Sequence, residues 1–296
     1  MQKTSERPDW KNRILNNPIW QLTAAGLAIV AVLIAVLIPR KATGKNAARA
    51  GSEPTVPTVT HTLSGAGRGS LSLVDAAHPQ SREDATACGV DCLPAGWHAA
   101  SGYAISGASI RLAPLVLMQL DRMILDYTGG NANYSVPCVT SGYRDFATQS
   151  ALGITPGTDP AGTGYALTLS LCVPQGDGMT VVPLSNPLAQ SFSAWLASHA
   201  ASYGFTYDSG GALRYVGVPH AFVMLRSSLS LSAYVSALTE KTQTAPLSVE
   251  AAGATYSVFF VPAEKDGTAS VTLPESAVYT VSGTNAGGFV VAVREP

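Results

Sequence analysis

Apolar and polar positions recur with different periods along the chain, and those periods divide it. Residues 19–38 form an uncharged run broken only by Gln21, Thr23 and Gly26 near its start. At about 1.5 Å per helical residue, such a run spans the ~30 Å hydrocarbon core of a bilayer. Pro18 and Pro39 flank it, and Trp20 suits a membrane interface. The pattern predicts a cytoplasmic tail over 1–18 and a transmembrane helix over 19–38. A linker rich in Ala, Gly, Thr, Ser and Pro follows over 39–70. A buried core helix is one alternative and a cleaved signal peptide another, although the apolar stretch of a signal peptide is only ~7–15 residues.

Beyond residue 71 the pattern is globular. Leu112, Leu115, Val116, Leu120, Met123, Ile124 and Tyr127 recur at helical spacing, predicting a helix over 111–127 that Gly129-Gly130 stops. Residues 137–143 and the alternating stretch 165–173 read as strands. Asn186-Pro187 opens a helix carrying Leu188, Phe192, Trp195, Leu196, His199 and Tyr203 on one face, closed by Gly204. A further helix is predicted over 228–238. After Pro246 the signal changes to short strands at 256–262, 270–273, 278–282 and 288–293. The expected fold class is α+β: a main domain over 71–245, a small antiparallel sheet with flanking helices, followed by a small β domain over 246–296.

Composition narrows the function. Charged residues make up 12% of the chain, about half the ~25% usual for soluble proteins, and mean hydropathy is +0.19. These values exclude a mostly disordered chain, and no basic face suited to nucleic acid is present. Residues 1–50 hold eight Lys/Arg and two Asp/Glu; the remainder holds ten and seventeen. Lys3, Arg7, Lys11 and Arg13 precede the apolar run, and Arg40, Lys41, Lys45 and Arg49 follow it, so basic residues alone do not orient it. Cys88, Cys92, Cys138 and Cys172 all follow the run, an even number suited to an oxidising exterior. The expected location is the cell membrane, single-pass, with the C-terminal domain extracytoplasmic. Free thiols, or a metal half-site at Cys88 and Cys92, are the alternatives for the cysteines.

Three ordered segments carry a resemblance. Ser141-Gly142-Tyr143-Arg144 with Gln149, then Trp195-Leu196 with Tyr203-Gly204-Phe205, then Arg214-Tyr215-Val216-Gly217 with His220-Ala221 together resemble the zinc D-alanyl-D-alanine carboxypeptidases of the vancomycin-resistance Y type. The resemblance covers about 110–225. It implies a zinc ion held by two His and one Asp, a Glu handling the proton, and an Arg holding a substrate carboxylate or carbonyl. It also brings the strands of Cys138 and Cys172 near each other, making them a disulfide candidate, with Cys88 and Cys92 closing a tight loop.

This sequence departs from the family pattern at the centre. Where the family has Ser-Glu-His-x-x-Gly-x-Ala-x-Asp, residues 159–168 place Ala161 at the His position and Thr168 at the Asp position. Where it has Glu-x-x-His, Ser209 and Ala212 stand. None of the remaining histidines forms a His-x-x-x-His pair. His61 and His78 lie in or near the linker, His199 falls on an apolar helix face, and His220 lies beyond the metal motif. Neither Ser-x-x-Lys nor Gly-x-Ser-x-Gly occurs.

The expectation is therefore a membrane-anchored pseudoenzyme with no metal and no cofactor, its catalytic positions degenerate at Ala161, Thr168, Ser209 and Ala212. Its candidate peptide-binding residues are Arg144, Ser141, Tyr143 and Gln149, and its candidate partners a peptidoglycan stem peptide or a cell-wall protein. The alternatives are an active carboxypeptidase with a non-standard site, or a scaffold whose residues 288–291 form an edge strand open to pairing.

Overall fold

The computed structural model describes residues 57–98, 100–129 and 135–296; the tail and the membrane-span segment lie outside the described residues. The described residues form one compact unit. Its first half runs β1 (Thr58–Leu63), α1 (Arg82–Thr86), β2 (Asp91–Leu93), β3 (Gly96–His98), β4 (Tyr103–Ile105), β5 (Ile110–Leu112), α2 (Pro114–Thr128), β6 (Val136–Ser141), α3 (Phe146–Ala151) and β7 (Ala166–Gln175). The second half runs β8 (Gly178–Pro183), α4 (Gln190–His199), β9 (Phe205–Tyr207), β10 (Ala212–Tyr215), α5 (Val218–Ser227) and α6 (Leu231–Leu238). It ends with β11 (Leu247–Ala251), β12 (Ala254–Pro262), β13 (Ala269–Pro274), β14 (Val278–Gly283) and β15 (Gly288–Arg294).

The α+β class holds, but the main sheet is neither small nor wholly antiparallel. It has seven strands in the order β3-β4-β6-β7-β10-β9, with β8 also on β7, and β4 runs parallel to β6. Four of these strands are only three or four residues long, too short to leave a periodic signal. The longest, β7, alternates as expected, burying Leu167, Leu169, Leu171 and Val173. The helix expected from residue 111 begins instead at Pro114. Proline disfavours helical backbone in the residue before it, and Ala113 is extended (φ −61°, ψ 141°), leaving 110–112 to pair as β5. Helix α2 then buries Val116, Leu120, Met123 and Ile124 in the core that also takes Phe192 and Leu196 of α4. At the start of the latter, Asn186 Oδ1 accepts from the Leu188 amide at 2.9 Å, the cap its sequence predicts.

The linker boundary moved. Residues Thr58–Leu63, expected as linker, pair with β13 in antiparallel register, His61 opposite Val271. Threonine and valine suit a strand there, but the surrounding Gly, Pro and Ala dominated the local composition. Strands β11, β12, β15 and β14 form one four-stranded sheet, whereas the strand expected at 270–273 is β13, which pairs with β1 instead. Strand β15 lies inside that sheet, between β12 and β14, so residues 288–291 are not an open edge. Met224 of α5 and Tyr234, Val235 and Leu238 of α6 share one buried cluster with Val249, Val258 and Val290 of this sheet. Helix α5 itself gave no signal beyond Pro219 in its first turn.

Among the described residues no single helix is long and apolar enough to cross a membrane.

Candidate ligand-binding site

The antiparallel register brings three sequence-flagged positions into one row. Ser141 of β6 stands opposite Thr168 of β7, and Thr168 stands opposite Ala212 of β10. The two outer positions are separated by two strand spacings, about 10 Å. Ala161 lies at the edge of the row, in the 3₁₀ turn Pro160–Thr163, where its carbonyl accepts from the Arg144 amide at 3.3 Å. All four line a cavity of about 920 Å³, large enough for a small-molecule or short-peptide ligand. Its far end is apolar, formed by Leu73, Val74, Met224, Leu225, Leu229 and Leu231.

Arg144 enters the cavity from the segment between β6 and α3. Its Nη1 donates to Asp159 Oδ2 at 2.9 Å, and its Nη2 to Ser141 Oγ at 2.6 Å. The Asp159 carboxylate is nearly buried, and its other oxygen caps the 3₁₀ turn by accepting from the Ala161 amide at 2.9 Å. Beneath them Gln149, fully buried, donates to the Arg144 carbonyl at 2.9 Å and accepts from the Gly157 amide at 2.8 Å. Gly142 permits the close approach of this segment to β5, since a methyl group there would lie 2.7 Å from the Arg111 carbonyl oxygen.

Ser141 and Arg144 are thus in the cavity. Tyr143 and Gln149, expected beside them, are not among its lining residues. The Tyr143 hydroxyl donates to the Ala85 carbonyl at 3.3 Å under the Arg111 guanidinium, which sits 4.7 Å from the ring centre, and burial raises the phenol's pKa. Gln149 acts from below, holding the loop that carries Arg144. Ser209 is exposed in the turn after β9 and does not line the cavity; its neighbour Asp208 does. The Asp208 carboxylate accepts from the Gly210 and Ala212 amides at 2.9 and 3.1 Å, closing an Asx turn. Asp159, Asp208 and Arg214 line the cavity without having been assigned to a site from sequence. Asp159 was legible in one respect: Asp before Pro at the head of a turn is a capping signal.

The histidines lie elsewhere. His199 is exposed rather than on the buried face, stacked on Trp195 with ring centres 4.5 Å apart. His220 is buried and shares a 2.8 Å hydrogen bond with the Tyr234 hydroxyl; burial pushes its pKa down to about 4. His61 lies in β1, 3.0 Å from the Tyr279 hydroxyl.

The disulfide expectation is corrected, since all four cysteines are free thiols. Cys138 pairs with Ser170 and Cys172 with Val136, so the two cysteines are diagonal neighbours across the strands. Burial first, and the neighbouring Cys172 thiol second, push the Cys138 pKa up to about 12. The Cys88 thiol turns back to donate to the Asp84 carbonyl at 3.3 Å, away from Cys92.

Comparison with known proteins supplies the context. No family model matches the chain. A D-alanyl-D-alanine carboxypeptidase of Enterococcus faecium is 27% identical over 243 residues, covering 76% of this chain and 75% of that protein. The crystal structure of the vancomycin-resistance D,D-dipeptidase VanXYg, in complex with a D-Ala-D-Ala phosphinate analogue, superposes with a TM-score of 0.63. It is 25% identical and covers 81% of this chain and all of its own. A vancomycin-resistance D,D-pentapeptidase, a VanY mutant in complex with Zn(II), is 19% identical over 56% of this chain and 98% of its own, with a TM-score of 0.37.

The fold is thus α+β and similar to that of the D,D-dipeptidase. The chain is similar to the D-alanyl-D-alanine carboxypeptidases, the family its motifs resemble.

The expectation of no cofactor is corrected by the same comparisons, because the structural neighbours are zinc-dependent peptidases. The side chains at this chain's ligand positions do not match that chemistry. Ala161 and Ala212 end in methyl groups and Thr168 offers one neutral hydroxyl, whereas zinc is held by imidazole, thiolate or carboxylate.

Proposed function

We propose that the domain is a D,D-carboxypeptidase-like pseudoenzyme that binds the C-terminal end of a cell-wall peptide in the cavity without hydrolysing it. In this reading it is held at the membrane by residues 19–38 on the extracytoplasmic side. The observation that carries the proposal is the row Ser141–Thr168–Ala212. The register brings these positions to one cavity that Arg144 also lines, while the positions that would polarise a carbonyl or move a proton carry methyl and hydroxyl groups. An arginine fork suits a carboxylate, and the apolar far wall suits the small side chains of a peptide. VanXYg, the solved relative with a D-Ala-D-Ala analogue, supports a ligand of that kind.

The test is calorimetric titration of the full chain in detergent with a pentapeptide ending in D-Ala–D-Ala, alongside an assay for released D-alanine with and without added Zn(II). Saturable binding that weakens at least tenfold in Arg144→Ala, with no release in either condition, is the expected result. Release of D-alanine at enzymatic rates would overturn it in favour of an active carboxypeptidase.

A further inference from the structure

Two arginines line the cavity, and they differ in one respect. Arg144 is ion-paired to Asp159. Arg214, on β10 two residues beyond Ala212 and so on the same face of the strand, has no acidic side chain within ion-pair distance among the described residues. Its Nη2 donates to the Ser72 carbonyl at 2.6 Å and its Nε to the Ser70 carbonyl at 3.4 Å, while Nη1 has no hydrogen bond among the described residues. The other ionised groups of the cavity wall are engaged nearby. Asp75 accepts from the Ala77 and His78 amides and the His78 ring, and Asp208 accepts from its own turn. Desolvation draws the Arg214 pKa down to about 10, the mark of a guanidinium taken out of water without a counter-charge. Arg214 is half-buried, and a charge at a cavity wall can take its partner from the ligand.

We propose that Arg214 is a second anion-binding residue of the cavity, so that its preferred ligand is a dianionic peptide: a C-terminal carboxylate directed to Arg144 and an acidic side chain directed to Arg214. The proposal rests on the peptide-binding reading above and specifies its ligand. Ser141, which touches the Arg144 guanidinium, and Arg214 lie two strand spacings apart across the sheet and two residues apart along it, about 12 Å. An extended peptide covers that distance in about three to four residues. The acidic side chain therefore belongs two or three residues before the C-terminus.

The experiment compares two probes on the full chain in detergent: an N-acetyl pentapeptide with glutamate third from its C-terminus, and the same peptide with glutamine there. The expected result is at least tenfold tighter binding of the glutamate peptide. Arg214→Gln should abolish that preference, and Arg214→Lys should keep part of it. A purely structural Arg214 would change both affinities together. If both peptides bind the unmodified chain equally and Arg144→Ala weakens both, this inference is overturned and the broader reading stands. If neither binds, both fall. The comparison on the unmodified chain decides the matter even if Arg214→Gln does not fold.

Discussion

Arg144 is held by a carboxylate of its own chain: its Nη1 lies 2.9 Å from Asp159 Oδ2, two residues before the position where the family places a zinc-binding histidine. An internal carboxylate on the arginine that would receive a ligand carboxylate competes with that ligand. Asp159→Asn removes the charge and keeps a side-chain oxygen to cap the Pro160–Thr163 turn, so the fold should persist. Arg144 is 30% exposed, which screens the pair, and the expected gain in affinity for a peptide carboxylate is about three- to tenfold. Titration of the variant with the D-Ala–D-Ala pentapeptide checks it. An unchanged or weaker affinity would mean that Asp159 positions the arginine rather than competing for it.

The row across β6, β7 and β10 makes a second prediction. If Thr168 and Ala212 occupy the ligand positions of the family, then Ala161→His, Thr168→Asp and Ala212→His together should recreate a two-histidine, one-carboxylate set. Zn(II) affinity of the triple variant should exceed that of the unmodified chain by more than the roughly 100-fold that second-shell partners alone contribute. Competition with a chromogenic chelator gives the two constants side by side. Equal constants would show that the three positions do not converge and that the motif alignment is displaced.

The SGYR glycine is tested by packing. A methyl at Gly142 would press on the Ile110 side chain and the Arg111 carbonyl, and Arg111 also receives the Tyr143 amide through that carbonyl at 2.8 Å. Overpacking of this kind destabilises by about 1–3 kcal/mol. Gly142→Ala should lower stability by that amount in urea denaturation and weaken peptide binding, because Ser141 and Arg144 flank it. A variant as stable as the parent would show that β5 yields to the methyl group.

What the sequence disclosed follows from physical length scale. Long periodic elements such as α2 and β7 were legible because many side chains repeat one choice of face. Strands of three residues were not, and α5 was hidden because a helix that packs on both α6 and the C-terminal sheet has no clean polar face. The strand at 58–63 was masked because its partner, β13, lies more than two hundred residues away and no local pattern encodes that pairing. Of the candidate site, the motif residues Ser141 and Arg144 were found, and the row that joins Ser141 to Thr168 and Ala212 emerged only from the strand register. Asp159 and Arg214 were missed as site residues because their roles depend on what stands opposite them in space. Tyr143 and Gln149 show the converse: they belong to the motif, yet they support the loop from behind.

The buried pair His220 and Tyr234 predicts a pH dependence of stability. Burial lowers the His220 pKa from 6.5 to about 4 in the folded protein, whereas the unfolded chain titrates near the ordinary value. Between those two values the unfolded state binds the extra proton, so stability rises with pH across that window and is lost as pH falls from about 6.5 towards 4. The full difference corresponds to about 3 kcal/mol. The carboxylates of Asp75, Asp145 and Asp266, lowered mainly by hydrogen bonds from neighbouring groups, act in the same direction, but only around and below pH 4. Urea midpoints measured from pH 7.5 to 4.5 separate the two, since the histidine dominates the upper part of the range. His220→Phe should flatten the slope there, and Tyr234→Phe should leave it in place, because burial rather than the hydroxyl is the main cause of the shift. A slope that survives in His220→Phe would assign the effect to another group.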